Sequence, residues 1–361
     1  MVPVVAKLFL YRDQLRHNYK FLQKKFKTHN IEWAVVTKLL CGNKKYLKEV
    51  LDLKPKQVCD SRIHNLKVIK EINPNIETVY IKPPAQSVIK SLVKYADISY
   101  NTEFETIKNI SKEAISQKKI HKIIVMVELG DLREGILGDD LVDFYSKIFK
   151  LKGIQVIGLG ANLNCLHGVM PSEDKLLQLC MYKKILELKF DRKLPIVSGG
   201  TTVTLPLLLN SKNFPAEVNH FRVGEALFFG ADLFLEKTIK GMYPFTFELE
   251  AQVIEVSEKP TEPFGEMKAN PMGVKYKKNE NNKKKKSHRA ILDIGILDVQ
   301  PQFLIPKNKK IKFIGASSDM IVVDISESKH KYPIGSTMKF QLKYMGALSL
   351  LNSRYIDKEV L

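Results

Sequence analysis

The sequence predicts an α/β protein: a parallel (β/α)8 TIM barrel followed by a C-terminal all-β domain. Three observations point there. Between residues 33 and 224, eight short β-branched apolar runs alternate with stretches of helical period. Strands buried on both faces read as near-continuous apolar runs, which is the signature of a parallel sheet covered by helices. Beyond about residue 232 the helical period fades and strand-like runs follow one another. Eight such repeats suit a closed barrel better than the runner-up, a doubly wound open sheet.

In chain order, Val4–Leu10 is a strand-like run that precedes the first helix and is assigned to the β domain. The barrel strands are expected at Trp33–Thr37, Gln57–Ser61, Thr78–Lys82, Asp97–Asn101, Lys122–Leu129, Gln155–Leu163, Leu194–Gly199 and Asn219–Gly224. Thr102 and Glu105 have capping-box spacing, and Phe104, Ile107, Ile110 and Ala114 then share a helix face. Asp139 and Asp140 suit the positive end of a helix striped by Leu141, Tyr145 and Ile148. Ser172 is a suitable N-cap before Leu177, Met181, Ile185 and Leu188, again at helical spacing. The later strands are expected at Phe245–Ser257, Arg289–Ile294, Lys310–Phe313, Met320–Ile325 and Met338–Leu342. The resulting division is a barrel over 11–232 and a β domain over 233–361 with 1–10.

Composition bounds the function. The chain has 361 residues, 44% hydrophobic and 27% charged, so a large core is within reach and global disorder is excluded. No apolar run has the roughly 18 residues of a membrane span, and the apolar start contains Lys7 and no cleavage site of a signal peptide. The formal net charge of +19 raises the question of nucleic acid. The lysines are spread along the chain, however, and the one dense run, Lys275–His288 with seven Lys, has no interleaved aromatic stripe. It reads as a solvated hairpin insertion rather than a nucleic-acid site. The four cysteines, at 41, 59, 165 and 180, form no CxxC pair, which fits a cytoplasmic protein without a zinc site. Cys59 and Cys165 read as packing residues, and His64 and His121 as surface or cap residues.

Barrel chemistry sits at the carboxyl ends of the strands. Lys38 directly follows WAVVT. A lysine in crowded, apolar surroundings there is the kind that acts as a nucleophile and forms a Schiff base; an ordinary strand-end lysine is the alternative. Ser198-Gly199-Gly200-Thr201-Thr202 follows another apolar run. Its glycines permit close backbone approach to a ligand, and the hydroxyls of Ser198, Thr201 and Thr202 offer donors, as in a phosphate cradle. Arg222-Val223-Gly224-Glu225 ends the next strand. A lysine, a phosphate cradle and an arginine at one barrel mouth are the parts that pyridoxal 5'-phosphate needs.

With those parts assembled, the sequence resembles the alanine-racemase-like (fold type III) family of pyridoxal-phosphate enzymes, in its ornithine racemase branch. The motifs that bear the resemblance are VVTKLLCGN, DSRIHNL, DISYNTE, MVELGDLREGI, GLGANLNC, VSGGTT, FRVGEALFFG and GASSDMIVVD. The resemblance implies an isomerase that interconverts L and D amino acids, with a basic amino acid such as ornithine as the small-molecule substrate. It implies a head-to-tail homodimer whose partner's β domain completes each site. It makes Lys38 the residue that binds the cofactor covalently and moves a proton. Arg222 would face the pyridine nitrogen. Thr202, with the backbone N–H groups of Gly224 and Glu225, would hold the phosphate. Asn162 would lie on the ring face. Arg133 would approach the phenolic oxygen and the substrate carboxylate, and Ser318 and Asp319 would approach that carboxylate from the partner.

One departure stands out. The family's GYxDG segment, whose Tyr is the second base, reads Gly295-Ile296-Leu297-Asp298 here, and an isoleucine transfers no proton. Either Asp298 replaces it, with Cys165, His167 and Tyr344 as further candidates, or Lys38 serves both faces. Ile296 also motivates the alternative of a cofactor-binding regulatory protein with little turnover. The metal-using relatives require a C-terminal His/Cys pair, and no cysteine follows 180. Glu128, Asp131 and Glu134 could receive a substrate's second amino group or could form a charge network around Arg133.

Overall fold

The computed structural model describes residues 6–270, 273, 275–276 and 285–361. It has two compact units, Tyr11–Thr246 and Met1–Leu10 with Phe247–Leu361. The boundary expected at 232/233 therefore shifts to 246/247. The reason is a set of hydrogen bonds that tie the intervening segment to the barrel unit. Asn18 donates to the carbonyls of Leu227 (3.0 Å) and Tyr243 (2.9 Å) and accepts from the Tyr243 N–H. The Thr246 hydroxyl donates to the Phe228 carbonyl at 2.8 Å.

In chain order, β1 (Lys7–Leu10) belongs to the second unit and α1 (Arg12–Thr28) opens the first. There follow β2 (Glu32–Val36), α2 (Lys44–Leu51), β3 (Gln57–Asp60), α3 (Ile63–Ile72), β4 (Glu77–Tyr80), α4 (Ile89–Tyr95), β5 (Ile98–Asn101) and α5 (Phe104–Ser116). Then come β6 (His121–Met126), α6 (Leu141–Ile148), β7 (Ile154–Gly160), α7 (Glu173–Phe190), β8 (Ile196–Ser198), β9 (Gly200–Thr201), α8 (Leu205–Asn210), β10 (His220–Val223) and α9 (Glu225–Phe229). A short hairpin of β11 (Ala231–Asp232) and β12 (Lys237–Thr238) ends the unit.

The sheet runs β8-β7-β6-β5-β4-β3-β2-β10-β9, all parallel. Its two ends, β8 and β9, are halves of one stave separated only by Gly199, so the barrel closes with eight staves. All eight expected strands are present, and the break in the seventh is new. Side chains alternate between interior and exterior. Ala34, Val36, Cys59, Val79, Ile98, Tyr100, Ile124, Met126 and Ile157 form the interior cluster. Trp33 faces outward against Tyr19 and Phe26 of α1.

Two helix readings change. Helix α5 starts after Glu103 without a side-chain cap, so the Thr102–Glu105 capping box does not form. On α7 the buried side is Leu176, Leu179, Cys180 and Leu186, while Leu177, Met181, Ile185 and Leu188 are exposed. Apolar residues are spread around the helix circumference among the charged ones, so spacing alone does not select the inner face. His121 is buried, 2.9 Å from the Ser99 hydroxyl, not at the surface.

The second unit contains β13 (Phe247–Pro260), β14 (Lys286–Leu292), β15 (Leu304–Pro306), β16 (Lys312–Ala316), β17 (Ile321–Asp324), β18 (Thr337–Leu342), α10 (Tyr344–Asn352) and β19 (Asp357–Val360). Its sheet runs β15-β18-β13-β14-β17-β16, with β1 antiparallel to β13 and parallel to β19. Helix α10 was not expected. The Lys275–His288 run falls between β13 and the start of β14, which pair as antiparallel neighbours; residues 277–284 of it lie outside the described residues. Among the described residues no helix is long and apolar enough to cross a membrane.

Candidate active site

Because the staves are parallel, the residues that follow β2, β7, β9 and β10 share one end of the barrel. Lys38 begins a 3-10 turn after β2. Its base is pinned by Thr37, whose hydroxyl lies 3.0 Å from Asp60 Oδ2 and 3.1 Å from the Cys59 carbonyl. Asp60 also accepts from the Arg62 N–H (2.9 Å) and the Asn65 amide (3.0 Å). Burial pushes the Asp60 carboxyl up to about 6, against the pull of those donors. The Lys38 side chain itself is exposed at the mouth, not held in apolar crowding as the sequence suggested. Within the 3-10 turn Leu39 and Leu40 are buried while Lys38 is left outside. Burial raises the Glu225 carboxyl, with the Lys38 charge opposing.

The turn after β8 behaves differently from the sequence expectation. Phe221 fills the space beside Gly200, where a Cβ would lie 2.2 Å from its ring, so this glycine serves packing rather than a ligand. The Ser198 hydroxyl is turned into the barrel interior, 2.7 Å from Tyr100 Oη and 2.8 Å from His220 Nδ1. It is a strand residue whose alternation points it inward, and it is removed from the set of phosphate donors. Thr201 caps the short turn over Thr202–Thr204. Thr202 is buried, and its hydroxyl oxygen accepts from the Ala226 N–H at 3.2 Å, tying this turn to α9. A Cβ on Gly224 would sit 3.0 Å from the Val36 carbonyl, so the end of β10 presses against the end of β2 beside Lys38.

Arg222 is buried. One Nη donates to the Ala161 carbonyl and lies 3.4 Å from the Ser198 carbonyl, and the guanidinium carbon is 4.9 Å from the centre of the Tyr100 ring. Its Nε has no hydrogen-bond partner, nor have Asn162 Nδ2 and Asn101 Oδ1. Buried polar atoms are normally paired. Three orphans at the carboxyl ends of β5, β7 and β10 mark a place built for a polar ligand. The structure thus brings together Lys38, Asn162, Thr202, Arg222, Gly224 and Glu225. Tyr100 and His220 were missed by the sequence reading. Their only signal was a polar group at an inward position of a strand otherwise apolar.

The acidic cluster after β6 is structural. Glu128 accepts from the N–H groups of Leu132 (3.0 Å) and Arg133 (3.2 Å). Asp131 accepts from the N–H groups of Cys165, Leu166, His167 and Val169 at 3.0–3.2 Å. Burial would raise the Asp131 carboxyl, but those donors prevail and hold it below the usual range. His167 donates its Nδ1–H to the Asp131 carbonyl, which accounts for that candidate base. Arg133 forms a two-point ion pair with its neighbour Glu134, which raises its guanidinium further.

In the second unit, Asp298 accepts from the Ser353 hydroxyl at 2.5 Å, so the chosen replacement base already has a partner. Ser318 donates to Asp319 at 2.5 Å, and both are exposed. The N–H groups of Ile296 and Leu297 bond the carbonyls of Ser317 and Ser318 at 3.0 Å. Gly295 permits this contact, since a Cβ there would meet the Ser318 carbonyl at 2.2 Å.

A closed parallel barrel with an exposed lysine, a buried arginine and unpaired polar atoms at its mouth belongs to the class of barrel enzymes that hold a ligand at the strand ends. Comparison narrows the class. Residues 10–232 match the family model "Alanine racemase, N-terminal domain". The chain is 36% identical to an ornithine racemase of Acetoanaerobium sticklandii over 97% of this chain and 98% of that one. It is 28% identical to a lysine racemase of Thermotoga maritima over 98% of each. Its fold matches an alanine racemase from Bartonella henselae with covalently bound pyridoxal phosphate (TM-score 0.73, 15% identity, 99% and 100% coverage). The chain belongs to the alanine racemase family, and it is a pyridoxal-phosphate-dependent racemase of that family.

The residues at the mouth fit that cofactor. The unpaired Arg222 Nε–H suits an acceptor nitrogen, and the unpaired Asn162 amide suits a ring substituent or ring face. Lys38 is exposed at the same end of the barrel, which suits an amine that would meet an aldehyde.

Proposed function

We propose that this protein interconverts the L and D forms of a basic amino acid such as ornithine, as a cytoplasmic head-to-tail homodimer. The observation that supports the reading is the likeness of this chain, over nearly its full length, to an ornithine racemase and a lysine racemase.

Bound pyridoxal phosphate supplies an electron-withdrawing ring that makes the substrate's Cα hydrogen acidic. The chain's residues then have separate tasks. Lys38 would hold the cofactor and carry a proton to and from one face of the substrate's Cα. Thr202 and the backbone N–H groups of Gly224 and Glu225 hold the phosphate. Arg222, a permanent cation, would hold the cofactor's ring nitrogen through its unpaired Nε–H and so keep that nitrogen from taking a proton. Arg133 orients the substrate carboxylate with Glu134 fixing its plane, and Ser318 and Asp319 of the partner subunit approach the same carboxylate. The proton on the opposite face is carried by a group other than residue 296, whose isoleucine has none to give.

The test is solvent deuterium entry at Cα together with loss of optical rotation, over L-ornithine, L-lysine and L-alanine. Both signals are expected with the basic substrates. Exchange without inversion would assign a base to one face only and would favour the regulatory alternative. No exchange by cofactor-loaded protein would overturn the reading.

A further inference from the structure

Behind Arg222, a line of polar side chains crosses the barrel interior toward its amino-terminal end. Tyr100 Oη lies 2.7 Å from Ser198 Oγ, which lies 2.8 Å from His220 Nδ1. His220 Nε2 is 2.9 Å from Gln57 Oε1, and Gln57 Nε2 is 2.5 Å from Glu77 Oε2. Lys122 Nζ closes the line, 3.0 Å from Glu77 Oε1. Tyr100 and Ser198 are wholly buried and His220 nearly so. Six different staves contribute to the line and its two ends: β3, β4, β5, β6, β8 and β10.

Every proton in the line can be placed. The Glu77 carboxylate accepts, so Gln57 turns its NH2 toward it and its carbonyl toward His220. A carbonyl accepts too, so His220 carries its proton on Nε2. Burial, with the Arg222 charge adding to it, pushes the His220 imidazole down to about 3, so the ring is neutral and Nδ1 is bare. Ser198 must then donate to Nδ1. With its only proton committed, it accepts from Tyr100, whose phenol burial pushes up to about 12 and keeps protonated. All four bonds point from the mouth toward Glu77, and hydrogen bonds in series polarise one another. The effect converges on Tyr100. Its O–H is turned to Ser198, and its ring carries the guanidinium of Arg222. Among the described residues no carboxylate pairs with Arg222; two carbonyls and this ring hold it.

We propose that the Glu77–Gln57–His220–Ser198–Tyr100 relay fixes Arg222 in place at the cofactor ring, and that His220 and Gln57 are positioning residues acting from the far end of the barrel. This rests on the reading of the mouth as the cofactor site, and it assigns a role to residues that touch neither cofactor nor substrate.

The first test is nitrogen NMR of cofactor-free protein labelled at histidine. His220 is expected as the neutral Nε2–H tautomer throughout about pH 5–8, where an ordinary histidine titrates. An Nδ1–H tautomer, or a titrating His220, overturns the relay whatever the protein's activity. The second test breaks the line at two points, with Ser198→Ala and Gln57→Leu, and keeps it with Ser198→Thr. Each break is expected to lower kcat about tenfold at similar KM and to shift the absorbance band of added pyridoxal phosphate, with Ser198→Thr close to wild type. Equal behaviour of the Ala and Thr variants overturns the proposal. If Gln57→Leu fails to fold, the Ser198 pair decides. Absent turnover in the wild type would sink the functional reading alone, leaving the tautomer and the absorbance shift to judge the relay.

Discussion

Arg222 rests on the face of Tyr100, with 4.9 Å between the guanidinium carbon and the ring centre, and both are buried in the barrel. A buried cation without a carboxylate depends on such a surface. Tyr100→Leu is expected to cost about 3 kcal/mol in urea unfolding, through lost volume and an unsupported charge. Tyr100→Phe retains the ring and is expected to cost only about 1 kcal/mol, for the donor that Ser198 loses. Equal losses for the two would refute a role for the ring face.

Lys38 stands clear of the core, so its removal separates chemistry from folding. Lys38→Ala is expected to leave the urea midpoint within about 0.5 kcal/mol of wild type. The variant should lose the visible band of covalently held cofactor and at least about 10³-fold in turnover. Retention of that band would assign the attachment to another amine.

Asp60 gives the fold a dependence on pH opposite to that of most carboxylates. Its carboxyl lies at about 6 in the folded chain against 3.8 ordinarily, because burial disfavours its charge. Between these values the folded chain binds more protons than the unfolded chain. Its contribution to stability is therefore greatest below about pH 4 and is lost as pH rises through about 6, by roughly 3 kcal/mol at most. Asp60→Asn should remove that slope in urea titrations across the same window. A wild-type slope identical to the variant's would contradict this account.

Asp131 has the reverse sign. Backbone donors hold it low, so its stabilisation is present above the ordinary carboxylate range and fades as pH falls through its lowered value. Asp131→Ala strands the N–H groups of Cys165, Leu166, His167 and Val169. Hydrogen exchange over 165–169 should accelerate, with an overall cost of about 2 kcal/mol. Unchanged protection of those amides would show that the loop is held by something else.

The positions of Lys38, Asn162, Thr202, Arg222 and Gly224 were legible in the sequence for a simple reason. In a parallel barrel, the residue after each apolar run lands at the same end. What was not legible depends on partners far away in the chain. Ser198 reads as a turn donor until the structure shows Tyr100, 98 residues earlier, at its hydroxyl. Gln57 and His220 are 163 residues apart and read as unrelated. Helix α7 offered two apolar stripes, and periodicity chose the exposed one. Helix α10 escaped because its nine residues are short and largely apolar, too little for a helical period to emerge beside the strands.

Strand β1 lies between β13 and β19, so that Lys7 faces both Glu250 and Asp357. Every barrel stave lies in sequence between β1 and these two neighbours. The second unit's sheet therefore rests on pairings of very high sequence separation, whose loop-closure entropy must be met before any of their hydrogen bonds form.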